Sequence, residues 1–271
     1  MEQPNHNPCE TCPAHSGARL IKLGLSVDSF DFVIALAGNP NVGKSTVFNN
    51  LTGLRQHTGN WPGKTVTRAE GAFSYNGKRY KVVDLPGTYS LLSTSADEEI
   101  ARNFILFGQP DVTVVVVDAT RLERNLYLVL QVLGITEKAI VCVNLIDEAE
   151  RHGIRVDTRS LGRDLGIPVV PAVARSGDGM TELLKSIEEI SSGVVQCKPR
   201  RVWTQSVKLK DAVDRMSSRL EADFPGLPNS RWVALRLLDG DAQIMEALGN
   251  GTLMELSSQE KHAAPTAHDA S

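Results

Sequence analysis

The sequence predicts an α/β fold in which a mostly parallel sheet is covered by helices on both faces. Short apolar runs, such as Val112 to Val117 and residues 139–145, alternate with stretches whose apolar residues recur at helical spacing. The pair Asn76-Gly77 lies between two β-rich runs and indicates an antiparallel hairpin. We therefore expect a six-stranded sheet with one antiparallel hairpin.

Composition along the chain predicts four segments. Residues 1–29 and 259–271 are mainly small or polar, so both are expected to be largely flexible. The alternation of strands and helices occupies residues 30–197. Beyond this point only helical spacing remains, so residues 198–258 are predicted to form a small all-helical domain.

The composition is that of an ordinary globular protein and argues against two classes. The formal net charge of −3 disfavours the basic surface by which proteins bind nucleic acid. The longest apolar runs are far shorter than the roughly 20 residues that cross a bilayer. The N-terminus also lacks the basic start and apolar core of a secretory signal. We expect a soluble, cytosolic chain that can still be part of a larger protein.

A phosphate-binding loop is predicted between the first strand and the first helix. Residues 38–45, GNPNVGKS, satisfy G-x-x-x-x-G-K-S, in which glycines let backbone N–H groups close around phosphate oxygens. Lys44 is expected to reach the β and γ phosphates, and the Ser45 hydroxyl to ligate Mg²⁺. The alternative is a glycine turn with a surface lysine. The residues of this loop predicted to contact the nucleotide are Asn39, Asn41, Val42, Gly43, Lys44, Ser45 and Thr46.

Two further segments are predicted to complete the site for Mg²⁺ and the γ-phosphate. Asp84-Leu-Pro-Gly87 ends a strand, where Asp84 can hold Mg²⁺ through water and the Gly87 N–H can meet the γ-phosphate. In the loop of residues 54–66, Thr65 is expected to contact both Mg²⁺ and the γ-phosphate. Thr67 competes by position, and Thr65 is preferred because the loop ends there.

A guanine-binding site is predicted at two other strand ends. Asn144-Leu-Ile-Asp147 is similar to the N-K-x-D motif, with Leu145 in place of lysine. Asp147 can accept hydrogen bonds from the guanine N1–H and 2-amino group, which adenine cannot supply in that arrangement. Ala174 is predicted to meet the guanine O6 through its backbone N–H, with Arg175 beside it. The alternative is a strand-end turn that caps the next helix.

Several segments together closely resemble the cytosolic N-terminal part of the ferrous iron transport protein B family. They are GNPNVGKST, GNWPGKTVTRAEG, DLPGTYSL, LERNLYL and RWVALRLLDGD. The resemblance implies a Ras-like P-loop GTPase domain that binds GTP and GDP, followed by a helical spacer domain. It also implies a transmembrane Fe²⁺ permease in the same polypeptide, with this part at the cytoplasmic side of the bacterial inner membrane. A homo-oligomer is left open.

The same resemblance implies slow hydrolysis assisted by potassium. Thr88 stands where such enzymes usually carry the glutamine that orients the attacking water. A K⁺ ion then takes the electrostatic role of an arginine finger, held by Asn41 and by backbone carbonyls of Asn60 and Trp61. Catalysis is accordingly assigned to Asn41, Lys44, Thr65 and Gly87.

Two other functions stay open. A ribosome-assembly or RNA-associated GTPase would share the phosphate loop, but such proteins usually carry a basic RNA-binding domain. The cluster KPRR at 198–201 is more simply a linker. The second alternative is a nucleotide-sensing switch whose hydrolysis is incidental, which is consistent with Thr88 in place of glutamine.

The N-terminal segment contains four soft or borderline metal ligands spaced three apart, at His6, Cys9, Cys12 and His15. Nearby prolines disfavour a helix. A plain flexible tail, a metal site and a redox-active C-x-x-C pair are the alternatives.

Overall fold

Seven strands form one sheet in the order β2-β3-β4-β1-β5-β6-β7 in a computed structural model, which describes residues 30–54, 56–92, 95–200 and 206–252. The strands are β1 (Phe32–Gly38), β2 (Gln56–Asn60), β3 (Thr67–Tyr75), β4 (Lys78–Asp84), β5 (Val112–Asp118), β6 (Ala139–Asn144) and β7 (Val169–Pro171).

The sheet is parallel from β4 to β7 and antiparallel at its other edge. β3 pairs with β4 across the predicted Asn76-Gly77 turn. β2 pairs antiparallel with β3, from Gln56 opposite Gly71 to Asn60 opposite Thr67. The predicted fold class is confirmed, while the strand count of six is corrected to seven. The additional strand lies in the stretch predicted as loop, because its sequence, QHTGN, has no apolar alternation.

Helices cover the sheet and connect its parallel strands. They are α1 (Lys44–Thr52), α2 (Ala96–Asn103), α3 (Leu122–Ile135), α4 (Ile146–Arg151), α5 (Thr158–Leu165) and α6 (Met180–Ser191). α2 continues into a π-helical turn, Phe104–Gly108, and a 3₁₀ turn, Ala119–Arg121, precedes α3. The central strands β1, β5 and β6 are almost wholly buried, because both faces of a parallel sheet carry helices.

A second compact unit begins at Ser206 and contains α7 (Val207–Asp223), α8 (Ser230–Leu238) and α9 (Ala242–Gly249). Each helix starts with a side-chain cap on backbone N–H groups, provided by Ser206, Asn229 and Asp241. The unit thus begins later than the predicted residue 198. The reason is local: the Lys198 and Arg200 N–H groups donate to carbonyls at the end of α5, which keeps them with the first unit.

Among the described residues, no helix is long and apolar enough to cross a membrane. The His6, Cys9, Cys12 and His15 cluster lies outside the described residues. No other group of three or more potential metal-ligating side chains occurs in the part of the chain that the structure describes.

Candidate functional site

The predicted phosphate loop connects β1 to α1 and requires glycine at position 43. Gly43 has φ of 83°, and a Cβ added there would lie 2.3 Å from Nδ2 of Asn144. α1 has no side-chain cap hydrogen bond and no acidic residue in its first turn. Its first backbone N–H groups are therefore left for an anion, which the helix dipole also favours. Asn41 is exposed and has φ of 66°, and Ser45 and Thr46 are exposed at the start of the helix.

Lys44 lies against the end of β4. Its Nζ donates to Oδ1 of Asp84 and, at 2.7 Å, to the carbonyl oxygen of Leu85. Burial raises the pKa of Asp84 above its ordinary value, and the Lys44 ammonium opposes that rise. Lys44 and Asp84 therefore compensate each other's charge at the carboxyl end of β4.

The segment after Asp84 packs directly against the phosphate loop. The Thr88 N–H donates to the carbonyl oxygen of Gly38 at 3.2 Å. A Cβ added to Gly87 would lie 3.5 Å from the Pro40 backbone, so Gly87 is packed beside the loop. The predicted γ-phosphate and magnesium residues Asp84 and Gly87 are thus brought next to the phosphate loop.

Asn144, the last residue of β6, joins the phosphate loop to the predicted base-binding loop. Its Nδ2 donates to the carbonyl oxygen of Val42 at 3.0 Å, and its Oδ1 accepts from the Ala174 N–H at 2.9 Å. Asn144 is 2% exposed and Ala174 is 1% exposed. Because both hydrogen bonds are buried, they hold the two loops in a fixed relation.

Asp147 lies at the start of α4 and is held by two arginines. Its Oδ2 accepts from Nη2 of Arg151 at 2.6 Å and from Nη2 of Arg175 at 3.2 Å. Both arginine side chains are largely exposed, so these ion pairs contribute little and leave the carboxylate available to a base. Leu145 adopts a left-handed conformation, with φ of 62°, at the turn between Asn144 and Asp147.

Asn39 provides a buried polar group without a partner. It is 3% exposed, and neither its Oδ1 nor its Nδ2 has a hydrogen-bond partner in the structure. An unpaired buried amide is costly, and such groups usually await water or a ligand. The unpaired Asn39 amide and the uncapped N-terminus of α1 both indicate that this loop binds a further polar group.

The predicted magnesium and potassium ligands of the 54–66 segment lie in a hairpin. Asn60 ends β2, and the Trp61 carbonyl accepts from the Lys64 N–H in a turn. Trp61 is 4% exposed, its ring contacts Phe104 edge-on at 5.7 Å between centroids, and Thr65 is exposed in the turn. The Trp61 carbonyl thus accepts one hydrogen bond within the turn and keeps a second lone pair.

Two family models match separate parts of the chain. The model of the N-terminal domain of ferrous iron transport protein B matches residues 32–187, more than half of the chain. The chain belongs to the ferrous iron transport protein B family. A second model, the FeoB cytosolic helical domain, matches residues 206–270.

Curated relatives agree with this family. The Fe(2+) transporter FeoB of Shigella flexneri is 42% identical over 212 residues, which are 77% of this chain and 27% of the relative. The corresponding transporter of Salmonella typhimurium is 43% identical over the same shares. The chain therefore spans about a quarter of the length of these relatives.

Solved structures of the family have the same architecture. The cytosolic domain of T. maritima FeoB in a GDP form is 37% identical, with a TM-score of 0.71 over 84% of this chain and 86% of that chain. The cytosolic domain of L. pneumophila FeoB is 34% identical, with a TM-score of 0.73 over 84% and 90%. The predicted family and the GTPase class are confirmed, and an RNA-associated GTPase is not favoured.

Asn50 and Lys64 were missed by sequence reasoning. The Asn50 Nδ2 donates to the Ala174 carbonyl at 2.5 Å and to the Thr46 carbonyl at 3.1 Å, which adds a second tie between α1 and the base-binding loop. Asn50 lies four residues after Thr46 and therefore on the same face of α1, a helical spacing that can be read from the sequence. Lys64 pairs with Glu99 of α2 at 2.9 Å, and no local pattern predicts that contact.

Proposed function

We propose that this chain binds GTP with Mg²⁺, hydrolyses it slowly, and couples its nucleotide state to Fe²⁺ uptake by a membrane permease portion of the same polypeptide. The observation that carries the proposal is the Asn144 amide, which ties the phosphate loop to the base-binding loop. Asp147 stands at the same edge of the sheet with its carboxylate on exposed arginines. One nucleotide can therefore contact the phosphate loop and the base-binding carboxylate together.

The residues of the site divide the work by chemistry. Lys44 leaves Asp84 to contact the β and γ phosphates, and the backbone N–H groups of residues 41–46 surround the phosphate oxygens. Ser45 and Thr65 offer hydroxyl oxygens to Mg²⁺, and Asp84 offers a carboxylate through water, which is the donor set that this ion prefers. The Gly87 N–H donates to the γ-phosphate. Asp147 and Arg175 hold the base, with Leu145 packed along it, while the predicted Ala174 N–H is already donated to Asn144.

A potassium ion completes the catalytic site in this proposal. When bound, it supplies a positive charge beside the transferred phosphoryl group. Asn41 is exposed in the phosphate loop and free to turn its side-chain oxygen toward such a cation. The backbone carbonyls of Asn60 and Trp61 are the further ligands in this proposal, and the segment 54–66 that carries them rearranges in the nucleotide cycle.

Slow hydrolysis is supported by Thr88. Its side chain is 5% exposed, and its hydroxyl donates to the Ser90 carbonyl at 2.9 Å. A hydroxyl committed in this way does not orient an attacking water. The same contact favours a second candidate function, a nucleotide-sensing switch in which turnover is incidental. Fe²⁺ uptake by the full-length protein separates these two functions. The comparison is between a Lys44→Ala variant and a variant that binds GTP without hydrolysing it.

Coupling to the membrane is proposed to run through the segments 54–66 and 86–97 and through the helical unit. The relatives are named Fe(2+) transporters, and this chain matches about a quarter of their length. The chain is accordingly placed, in this proposal, on the cytoplasmic side of the bacterial inner membrane. A contact between copies of the chain is a further prediction of the resemblance.

The test is phosphate release from GTP and from ATP, each in potassium and in sodium buffer with Mg²⁺. We expect GTP-selective turnover that is about tenfold or more faster in potassium, since one electrostatic group at a transition state is worth at least that. Asn41→Ala should lose the potassium effect and keep GDP binding, while Asn49→Ala, the same truncation inside α1, keeps both. Equal rates in the two salts would remove the potassium role. Equal turnover of ATP and GTP, or none, would overturn the GTPase assignment.

A further inference from the structure

Gln131 on α3 holds the segment that follows Asp84. Its Oε1 accepts from the Leu91 N–H at 2.6 Å and from Oγ of Ser90 at 3.3 Å. Oγ of Ser90 accepts in turn from the Leu92 N–H at 3.0 Å. Leu91 is 1% exposed, so the shorter of these hydrogen bonds is shielded from water. One amide oxygen therefore receives donors from two consecutive residues of this segment.

α3 is a firm support for this contact. The helix is anchored by buried side chains, among them Leu128, Val129, Val132 and Leu133. Arg124 lies seven residues before Gln131 and therefore on the same face of the helix, and its guanidinium lies over the Tyr89 ring, 4.5 Å from the centroid. Residues 89–91 are thus held by one face of α3.

Only the oxygen of the Gln131 amide is used. Because the Leu91 N–H can only donate, the oxygen must be the atom that faces it. Nε2 of Gln131 is buried and has no hydrogen-bond partner among the residues that the structure describes. A buried donor without an acceptor is destabilising, and an apolar side chain of similar length would avoid that cost. Packing alone therefore does not account for glutamine at this position, whereas the need for an acceptor oxygen does.

The held segment includes the residues that face the phosphate loop. The residue after Gly87, Thr88, donates its N–H to the carbonyl oxygen of Gly38 at 3.2 Å. Three residues later, the contact of Leu91 with Gln131 fixes the far end of the same stretch. The place of Gly87 thus depends on one backbone contact, which no substitution removes, and on one side chain.

We propose that Gln131 is a positioning residue for GTP hydrolysis. The inference rests on the proposed function, in which the Gly87 N–H donates to the γ-phosphate. By fixing the Leu91 end of the segment, Gln131 shortens the stretch of backbone that has to be ordered around that phosphate, and ordering backbone costs conformational entropy. Its effect belongs to the hydrolytic step and not to binding of GDP, because GDP has no γ-phosphate.

The experiment compares Gln131→Met and Gln131→Glu with the unaltered chain in GTP turnover and in GDP binding. Methionine is similar to glutamine in length and helix propensity but has no acceptor oxygen, whereas glutamate keeps the oxygen and loses only the unpaired donor. In Gln131→Met we expect kcat and kcat/KM for GTP to fall together, about tenfold, as for an interaction that acts in the transition state. GDP affinity should stay within about twofold, and Gln131→Glu should recover most of the rate.

Two amide signals separate positioning from a general loss of stability. Hydrogen exchange at the Leu91 amide should be fast in Gln131→Met and slow in Gln131→Glu. The change in the NMR shift of the Gly87 amide between GDP and a non-hydrolysable GTP analogue should shrink in Gln131→Met only. Leu130→Met places the same side chain at a neighbouring position of α3 that is 43% exposed, and it should alter neither the rate nor these signals. Melting curves verify that each variant is folded at the assay temperature.

The proposal is overturned if Gln131→Met hydrolyses GTP as fast as the unaltered chain does, or if its GDP affinity falls as much as its kcat. It is also overturned if Gln131→Glu protects the Leu91 amide and is nevertheless as slow as Gln131→Met. Failure of the proposed function has a different signature, because GTP turnover is then absent from the unaltered chain itself. Failure of the positioning role alone leaves the unaltered chain active and Gln131→Met equally active.

Discussion

Asn144 donates a hydrogen bond to the carbonyl oxygen of Val42, 3.0 Å away, across 102 residues of sequence. The same side chain accepts from the Ala174 N–H, so a single amide contacts the phosphate loop with one atom and the base-binding loop with the other. Since the amide is buried, neither contact can be replaced by water without rearrangement. The asparagine of the N-x-x-D pattern therefore links two loops of the protein to each other.

Replacing Asn144 by alanine should destabilise the first unit and weaken nucleotide binding together. The change leaves the Val42 carbonyl and the Ala174 N–H buried without partners, which should cost about 2–4 kcal/mol of unfolding free energy. GDP affinity should fall more than about tenfold, because both loops lose their fixed relation. Denaturant unfolding and fluorescent-GDP titration measure the two effects. Asn250→Ala, an exposed amide in the second unit, should shift neither, and an unchanged GDP affinity in Asn144→Ala would contradict the bridge.

Gly43→Ala should abolish nucleotide binding through a clash with the same amide. The new Cβ would lie 2.3 Å from Nδ2 of Asn144, at a backbone φ of 83° that disfavours any side chain. Gly53→Ala is a matched control, since Gly53 also has positive φ, at 60°, while a Cβ there meets nothing within 4 Å. The control should lose about 1 kcal/mol of stability from backbone strain and keep GDP binding. If Gly43→Ala binds GDP as tightly as Gly53→Ala does, the clash with Asn144 does not impair the phosphate loop.

Local pattern predicted the residues whose role depends on a strand end. Asp84 and Asn144 each end a buried strand, Lys44 begins the helix after another, and the carboxyl ends of parallel strands meet at one edge. Their proximity therefore follows from the order of elements. The left-handed conformations of Asn41 and Gly43 follow from residue type, whereas that of Leu145 does not.

Pattern could not predict the contacts that depend on packing between distant segments. β2 has a polar sequence and exists because its backbone pairs with β3 at the edge of the sheet. Arg151 lies one helical turn after Asp147 and was accessible to a spacing argument, whereas Arg175 reaches the same carboxylate from another loop. The orphaned amide of Asn39 and the buried Nη1 of Arg68 are properties of the assembled structure alone.

Asp147→Asn should exchange guanine specificity for xanthine specificity. In the proposed site the carboxylate accepts from the guanine N1–H and 2-amino group, whereas an amide in its place would point its own NH₂ donor at one of these two donors. GTP affinity should drop at least about 100-fold, as expected from losing two hydrogen bonds to a charged acceptor. Xanthosine triphosphate, with an oxygen in place of the 2-amino group, should regain most of that affinity. Competition against fluorescent GDP measures both, and Glu150→Gln on α4 is a matched control. Retained GTP affinity would contradict the assigned role of Asp147.

Asp84 should make the nucleotide-free protein less stable at neutral pH than at mildly acidic pH. Burial raises the pKa of its carboxyl above 3.8, so the folded state binds the proton more tightly than the unfolded state does. A group with a raised folded pKa contributes stability that is full below its unfolded pKa and is lost as pH rises through the folded value. The window therefore begins near the ordinary value of 3.8 and extends upward to the raised pKa of Asp84.

Asp84→Asn should consequently raise the melting temperature of the nucleotide-free protein at pH 7 and weaken magnesium-dependent GTP binding. The amide removes the buried charge, and it also removes the carboxylate that is proposed to hold Mg²⁺ through water. Asp157 is an informative contrast, since hydrogen bonds from Ser160 lower the pKa of its exposed carboxyl and Asp157→Asn should act in the opposite direction. Melting curves from pH 4 to pH 8 compare the three proteins. A lower melting temperature for Asp84→Asn at pH 7 would show that the ion pair with Lys44 stabilises the fold by more than the burial of the carboxylate destabilises it. Asp84 would then not destabilise the nucleotide-free protein.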